Sequence, residues 1–148
     1  MASNLTDLID AIVTSINAGS FTTGGAAAAA KGYSRRVDVE TLAAMAVTVR
    51  PAGFATSFAD RGFNENTLTS VEIVIQQKLS LETGAISPAN VESLFLHLEE
   101  MVTHLSGAGS IDGATLQTLE ADPLLDPEHL ADFGVGTIPI VATYSRGN

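Results

Sequence analysis

Cysteine and tryptophan are absent, and cations are scarce: 7 lysines and arginines stand against 17 acids, a formal net charge of −10. Without cysteine there are no disulfides, thiolate metal sites or cysteine nucleophiles. Nonspecific DNA binding depends mainly on cations that neutralise phosphates, so the charge balance argues against a nucleic-acid binder. It leaves room for DNA to slide past a surface that repels phosphate. The plainer account of the same charge is solubility. No run of residues approaches the roughly 20 apolar positions that span a bilayer. Nor does the N-terminus carry a basic segment followed by a continuous apolar run, so no secretion signal and no membrane partner are expected.

Aromatics make up only 5% of the chain while the hydrophobic share is 45%. The core must therefore be mostly aliphatic, and 148 residues suffice for one such core in one domain.

Leu5, Leu8, Ile9, Ile12, Val13 and Ile16 recur at spacings of three and four, which predicts an amphipathic helix over Ser3 to Ala18. The Ala-rich stretch from Thr22 to Gly32 has no decisive period. From Leu42 to Pro51 the apolar residues alternate, predicting a strand stopped by Pro51 and Gly53. Thr69 to Leu79 alternates again, with Val71, Ile73 and Ile75 on one face and a partly polar face of Glu72, Val74, Gln76 and Lys78 opposite. Between them, about 51–68 reads as a long loop carrying Phe54, Phe58, Arg61 and Phe63. Loops of this length are usually functional or mobile. Ser87-Pro88 opens a second helix whose stripe runs from Val91 to Leu105, with Gly107 as its stop. Ala114 to Glu120 reads as a short strand, Asp126 to Leu130 as a helical turn, and Val135 to Tyr144 as a strand. Pro139 places that last strand at an edge or a bulge. The expected fold is α+β in two layers: a mainly antiparallel sheet of about four strands with two amphipathic helices packed on one face.

Few constellations point to chemistry. Gly25 to Gly32 has small residues and Lys31 but lacks the second glycine and the Ser or Thr of a phosphate-binding loop, so no nucleotide or other cofactor is expected. His97, Glu100 and His104 share one side of the second helix, yet they lack the H-E-x-x-H form. A solvated helix flank is the simpler reading, and no metal is expected. Glu99 and Glu100 are adjacent and diverge, the acids from Glu120 to Asp132 lack calcium-loop spacing, and neither Ser106 nor Ser110 sits in a nucleophile elbow. An enzyme is not expected. Lys31, Arg35 and Arg36 form the one basic cluster, either as single solvated charges or as a patch that meets an acidic neighbour.

In order and pattern the chain resembles the small tail terminator and neck proteins of long-tailed bacteriophages. The similarity rests on Leu5 to Ile12, the Val47-Thr48-Val49-Arg50-Pro51 strand end, Val71 to Lys78, the Val91 to Leu105 helix and the closing Phe133 to Tyr144 segment. The resemblance implies a non-enzymatic virion subunit that forms a ring, commonly a hexamer. That ring would cap the tail tube, join it to the head-side connector and let DNA pass through its lumen. Its candidate subunit contacts are Phe54, Phe58, Arg61 and Phe63 in the loop, with Arg35 and Arg36. A soluble cytoplasmic binding module or a tail assembly factor absent from the finished particle is the alternative.

Overall fold

The computed structural model describes residues 4–19, 21, 29–33, 45–58, 65–79, 81–82, 85–86 and 88–147. In chain order the elements are α1 (Asn4–Ala18), β1 (Ala29–Lys31), β2 (Ala46–Phe58), β3 (Glu65–Lys78), β4 (Leu81–Glu82), β5 (Ala85–Ile86), α2 (Pro88–Ala108), β6 (Ser110–Ile111), β7 (Ala114–Glu120), α3 (Pro127–Phe133) and β8 (Val135–Gly147).

Six strands form one mixed sheet in the order β1-β2-β3-β8-β7-β6, and β4 and β5 pair as a separate small ladder. Only β1 and β2 run parallel; the other neighbours in the large sheet are antiparallel. The sheet curls into a half-barrel. Helix α1 touches β1 and β2 near one edge and β6 at the other, so its apolar stripe lies in the curl.

The expected two-layer arrangement of about four strands and two helices is thus corrected to six strands in one curled sheet with three helices. The missed pieces are short. β1 has three residues and β6 two, too few to show a period of two. β6 and β7 are joined at Asp112-Gly113, where φ is 52° and 77°. Positive φ at both central residues is the geometry of the tightest hairpin turn, which Asp-Gly favours. Arg146 braces that turn, donating to the Asp112 carbonyl at 2.6 Å and to its carboxylate at 3.1 Å.

The core is aliphatic. Leu8, Ile9, Ile12 and Ile16 of α1 and Leu94, Met101 and Leu105 of α2 pack against Val47, Val49, Val71, Ile73, Ile75, Ile138 and Ile140 of the sheet. Each fully buried aliphatic side chain contributes roughly 1.5–3 kcal/mol by leaving water, so this face supplies most of the driving force. At Gly136 a Cβ would stand 2.5 Å from Leu94 Cδ1, so a side chain there would force Leu94 to shift.

Two strands depart from the sequence expectation because of proline. β2 does not stop at Pro51: a register shift between Pro51 and Gly53 absorbs one extra residue, and the strand runs on to Phe58. β8 is an interior strand, between β3 and β7. Its ladder with β7 reaches only to Val141, however, so Pro139 is paired on the β3 side with Val74 and lies beyond the end of β7 on the other. An absent N–H is tolerated where no neighbouring strand needs it.

Candidate subunit interface

The segment expected as a loop at about 51–68 is largely antiparallel strand, an arm of the large sheet that β8 pairs from behind as far as Asn66↔Gly147. Gly53↔Ser70, Phe54↔Thr69, Ala55↔Leu68, Thr56↔Thr67, Ser57↔Asn66 and Phe58↔Glu65 continue the β2–β3 ladder beyond the bulge. Ala52, Gly53, Phe54, Ala55 and Thr56 are all exposed, so neither face of this part of β2 is covered. Phe54 is 64% exposed and Leu68 37%. Pro51 to Phe58 contains no charged residue. Of the other residues expected at an interface, Phe58 ends β2 opposite Glu65, while Arg35, Arg36, Arg61 and Phe63 lie outside the described residues.

The outer edge of β2 is only partly used. β1 pairs with Val47, Thr48 and Val49 and goes no further. Among the described residues nothing pairs with that edge from Pro51 onward. Tyr33, 73% exposed, follows the end of β1, and its carbonyl lies 3.5 Å from Arg50 Nη1. Tyr33, Phe54 and Leu68 are three of the five large apolar side chains most exposed among the described residues. Their gathering at one edge and its arm marks this region out from the ordinary scatter of surface apolar groups.

The sheet face that carries Thr48, Glu72, Gln76 and Thr137 is buried as well, which the sequence reading did not anticipate. On it Arg50 Nε donates to Glu72 Oε1 at 2.8 Å across the β2–β3 ladder. Gln76 Nε2 donates to Thr137 Oγ1 at 3.2 Å, and His129 Nδ1 of α3 lies 2.9 Å from the same hydroxyl. Asp126 caps α3 by accepting from the amides of Glu128 and His129, which sets the His129 ring over Gln76. Buried polar groups on a strand are tolerated when they hydrogen-bond one another, as these do. Val74, wholly buried between Glu72 and Gln76, was the one signal that this face was covered.

The histidines of α2 are not a solvated flank. His97 is 1% exposed, its ring 5.1 Å from that of Phe21. His104 meets the other side of Phe21 edge-on at 5.5 Å and shares a 3.1 Å hydrogen bond with Ser15 Oγ of α1. Together they form a polar–aromatic seam between α1 and α2. Among the described residues no three metal-ligating side chains converge. A shallow open groove of about 400 Å³ runs along Leu96, Glu99, Glu100, Thr103 and His104. Lys31 is paired, its Nζ 3.0 Å from Asp10 Oδ1, which ties β1 to α1. That hydrogen bond and the Asp10 charge hold the Lys31 ammonium above its ordinary pKa.

No protein-family model matches the chain, and no curated protein does.

Proposed function

We propose that the chain is a non-enzymatic structural subunit of a phage virion, a tail terminator or neck protein whose copies assemble into a hexameric ring. In this reading the ring caps the tail tube, meets the head-side connector and leaves a lumen for DNA. The observation that carries it is the outer edge of β2 from Pro51 to Phe58: it holds no charged residue, Ala52 to Thr56 are exposed, and Phe54 stands on it with exposed Leu68 on the neighbouring β3, which β8 pairs from behind. Exposed aromatic anchors of this kind are typical of interface centres, where each accounts for about 2 kcal/mol or more. The net charge of −10 suits a channel through which DNA slides without sticking. The test is to image tailed particles that carry a gold-labelled copy of this chain. Label confined to the head–tail junction is the expected result. Label absent from finished particles would overturn the reading in favour of an assembly factor that leaves.

A further inference from the structure

The rows of the sheet place two open edges at the same height. Following partners across the ladders, Arg50 stands in line with Glu72, Val141 and Glu120. Gly53 stands in line with Ser70, Thr143 and Thr118, and Phe54 with Thr69, Tyr144 and Leu116. β1 covers β2 only as far as Val49. At the opposite edge, β6 covers β7 only at Ala114 and Thr115. Among the described residues, what remains open is Arg50 to Gly53 on one edge and Gln117 to Glu120 on the other, in matching rows; the Leu116 amide is already given to the Gly109 carbonyl at 2.7 Å. Each stretch holds one register shift, between Pro51 and Gly53 and between Leu116 and Thr118.

We propose that the large sheet continues from copy to copy, the open edge of β2 in one subunit pairing antiparallel with the open edge of β7 in the next. The inference rests on the ring reading and names its contact. β2 and β7 run in opposite directions within the sheet, so rotation about an axis along the strands brings them together antiparallel. Such rotation joins unlike surfaces, the arrangement that closes rings rather than dimers. It also keeps each sheet face on its own side. Phe54 then falls on the face that carries Leu116 and Leu119, an aromatic–aliphatic pairing of the kind that stabilises adjacent strands.

Charge agrees with this register. Glu120 of one copy arrives at the Arg50 row of the next, where the guanidinium has donors beyond the one given to Glu72. Exposed large apolar groups flank both edges, Tyr33 and Phe54 at the first and Leu124, 52% exposed, just past the end of β7. Neither edge carries a lysine, although Pro51, which has no N–H to donate, and the register shift on each edge shorten the ladder they can form. From Phe54 onward the row is taken by Gly109 and β6 of the neighbour, so the rest of the arm leaves the ladder there and lies on the neighbour's surface.

The absence of cysteine makes the test clean. Gly53→Cys and Thr118→Cys are combined in one full-length chain; both positions are exposed, and a Cβ at Gly53 meets only the Ser70 side chain, at an ordinary 3.5 Å from its Cβ and 3.7 Å from its Oγ. Within one chain the two sites are separated by two intervening strands, about 14 Å, too far for a disulfide. Mild oxidation of the assembled protein should give a ladder of covalent multimers rising to the ring size, while each single variant stays at the chain mass on a non-reducing gel. Ala52→Cys with Thr118→Cys provides a second pair should the first fold poorly. Intact rings by light scattering with no ladder from either pair would overturn this contact and leave the ring standing. Dimers from Gly53→Cys alone would replace it with a twofold β2–β2 contact. A protein that is monomeric before oxidation would remove the ring reading itself.

Discussion

Arg50 and Glu72 face each other across the β2–β3 ladder with 2.8 Å between Nε and Oε1, and the Glu72 side chain is only 8% exposed. The pair sits where the β2 edge changes from covered to open, so it joins the stability of the sheet to the geometry of the arm. Arg50→Met takes the guanidinium partner away from a buried carboxylate. Breaking a fully buried pair from one side costs about 3–5 kcal/mol, and the partial exposure of Arg50 lowers the expectation to about 2 kcal/mol. Arg50→Met with Glu72→Leu should cost less than Arg50→Met alone. Urea melts of the two variants check this, and equal losses would show that the pair is not coupled.

Gly136 lies under Leu94, where an added Cβ would come within 2.5 Å of Leu94 Cδ1. Gly136→Ala should cost about 1–3 kcal/mol, the range for overpacking a filled core. Leu94→Val should be less damaging in that background than in the wild type, because it removes the clashing methyl. Additive losses by thermal melting would mean that the helix shifts aside instead.

Tyr144 is 1% exposed, and its hydroxyl has no hydrogen-bond partner among the described residues. Burial pushes its pKa up to about 12 from an ordinary 10. Because the folded state holds the proton more tightly than the unfolded chain does, the linked stability is complete below pH 10 and is lost as pH rises towards 12. A difference of two units corresponds to about 2.7 kcal/mol. Tyr144→Phe should be neutral or slightly stabilising at pH 7, where a buried unpaired hydroxyl is removed. Across pH 10–12 it should lose less stability than the wild type. Denaturant midpoints measured at both ends of that window decide it, and parallel losses in the two proteins would refute the assignment.

His97 and His104 show how far the sequence could be read. Their spacing placed them on one side of α2, and that much follows from the helical period. Which side faced α1 depended on Phe21, whose ring lies between them and which no periodic pattern flagged. The long elements α1, α2, β3 and β7 were legible because each repeats its period several times. β1 and β6 were not, since pairing with a neighbour rather than local pattern makes them strands. Asp112-Gly113 carries a tight-turn signal that the expected fold left unused. Pro51 misled in the other direction: a bulge carries β2 past it, so the expected loop is mostly strand. Phe54 was singled out as one of three phenylalanines in the expected loop and is exposed on β2, whereas the buried row of Glu72, Gln76 and Thr137 requires knowing that both sheet faces are covered.

Shortening the arm separates folding from assembly. Replacing residues 55–68 by Asn-Gly closes the hairpin directly after the Phe54↔Thr69 pair, with the turn that two-residue connections favour. The β2–β3 ladder from Ala46↔Gln76 to Phe54↔Thr69 and both long helices are kept, and the β3–β8 ladder loses only Asn66↔Gly147, Thr67↔Arg146 and Leu68↔Ser145 at its end, so circular dichroism should report a folded protein. Light scattering should show that it has weakened or lost its ring. An unfolded variant would instead assign the arm to the core.

The central claim is that copies of this chain close into a ring, and the mass of the intact purified protein in solution tests it most directly. Sedimentation velocity near physiological salt should give a single species of six times the 15.3 kDa chain mass, with ring-shaped particles by negative stain. A single species at the chain mass, unchanged as concentration is raised, would contradict the account.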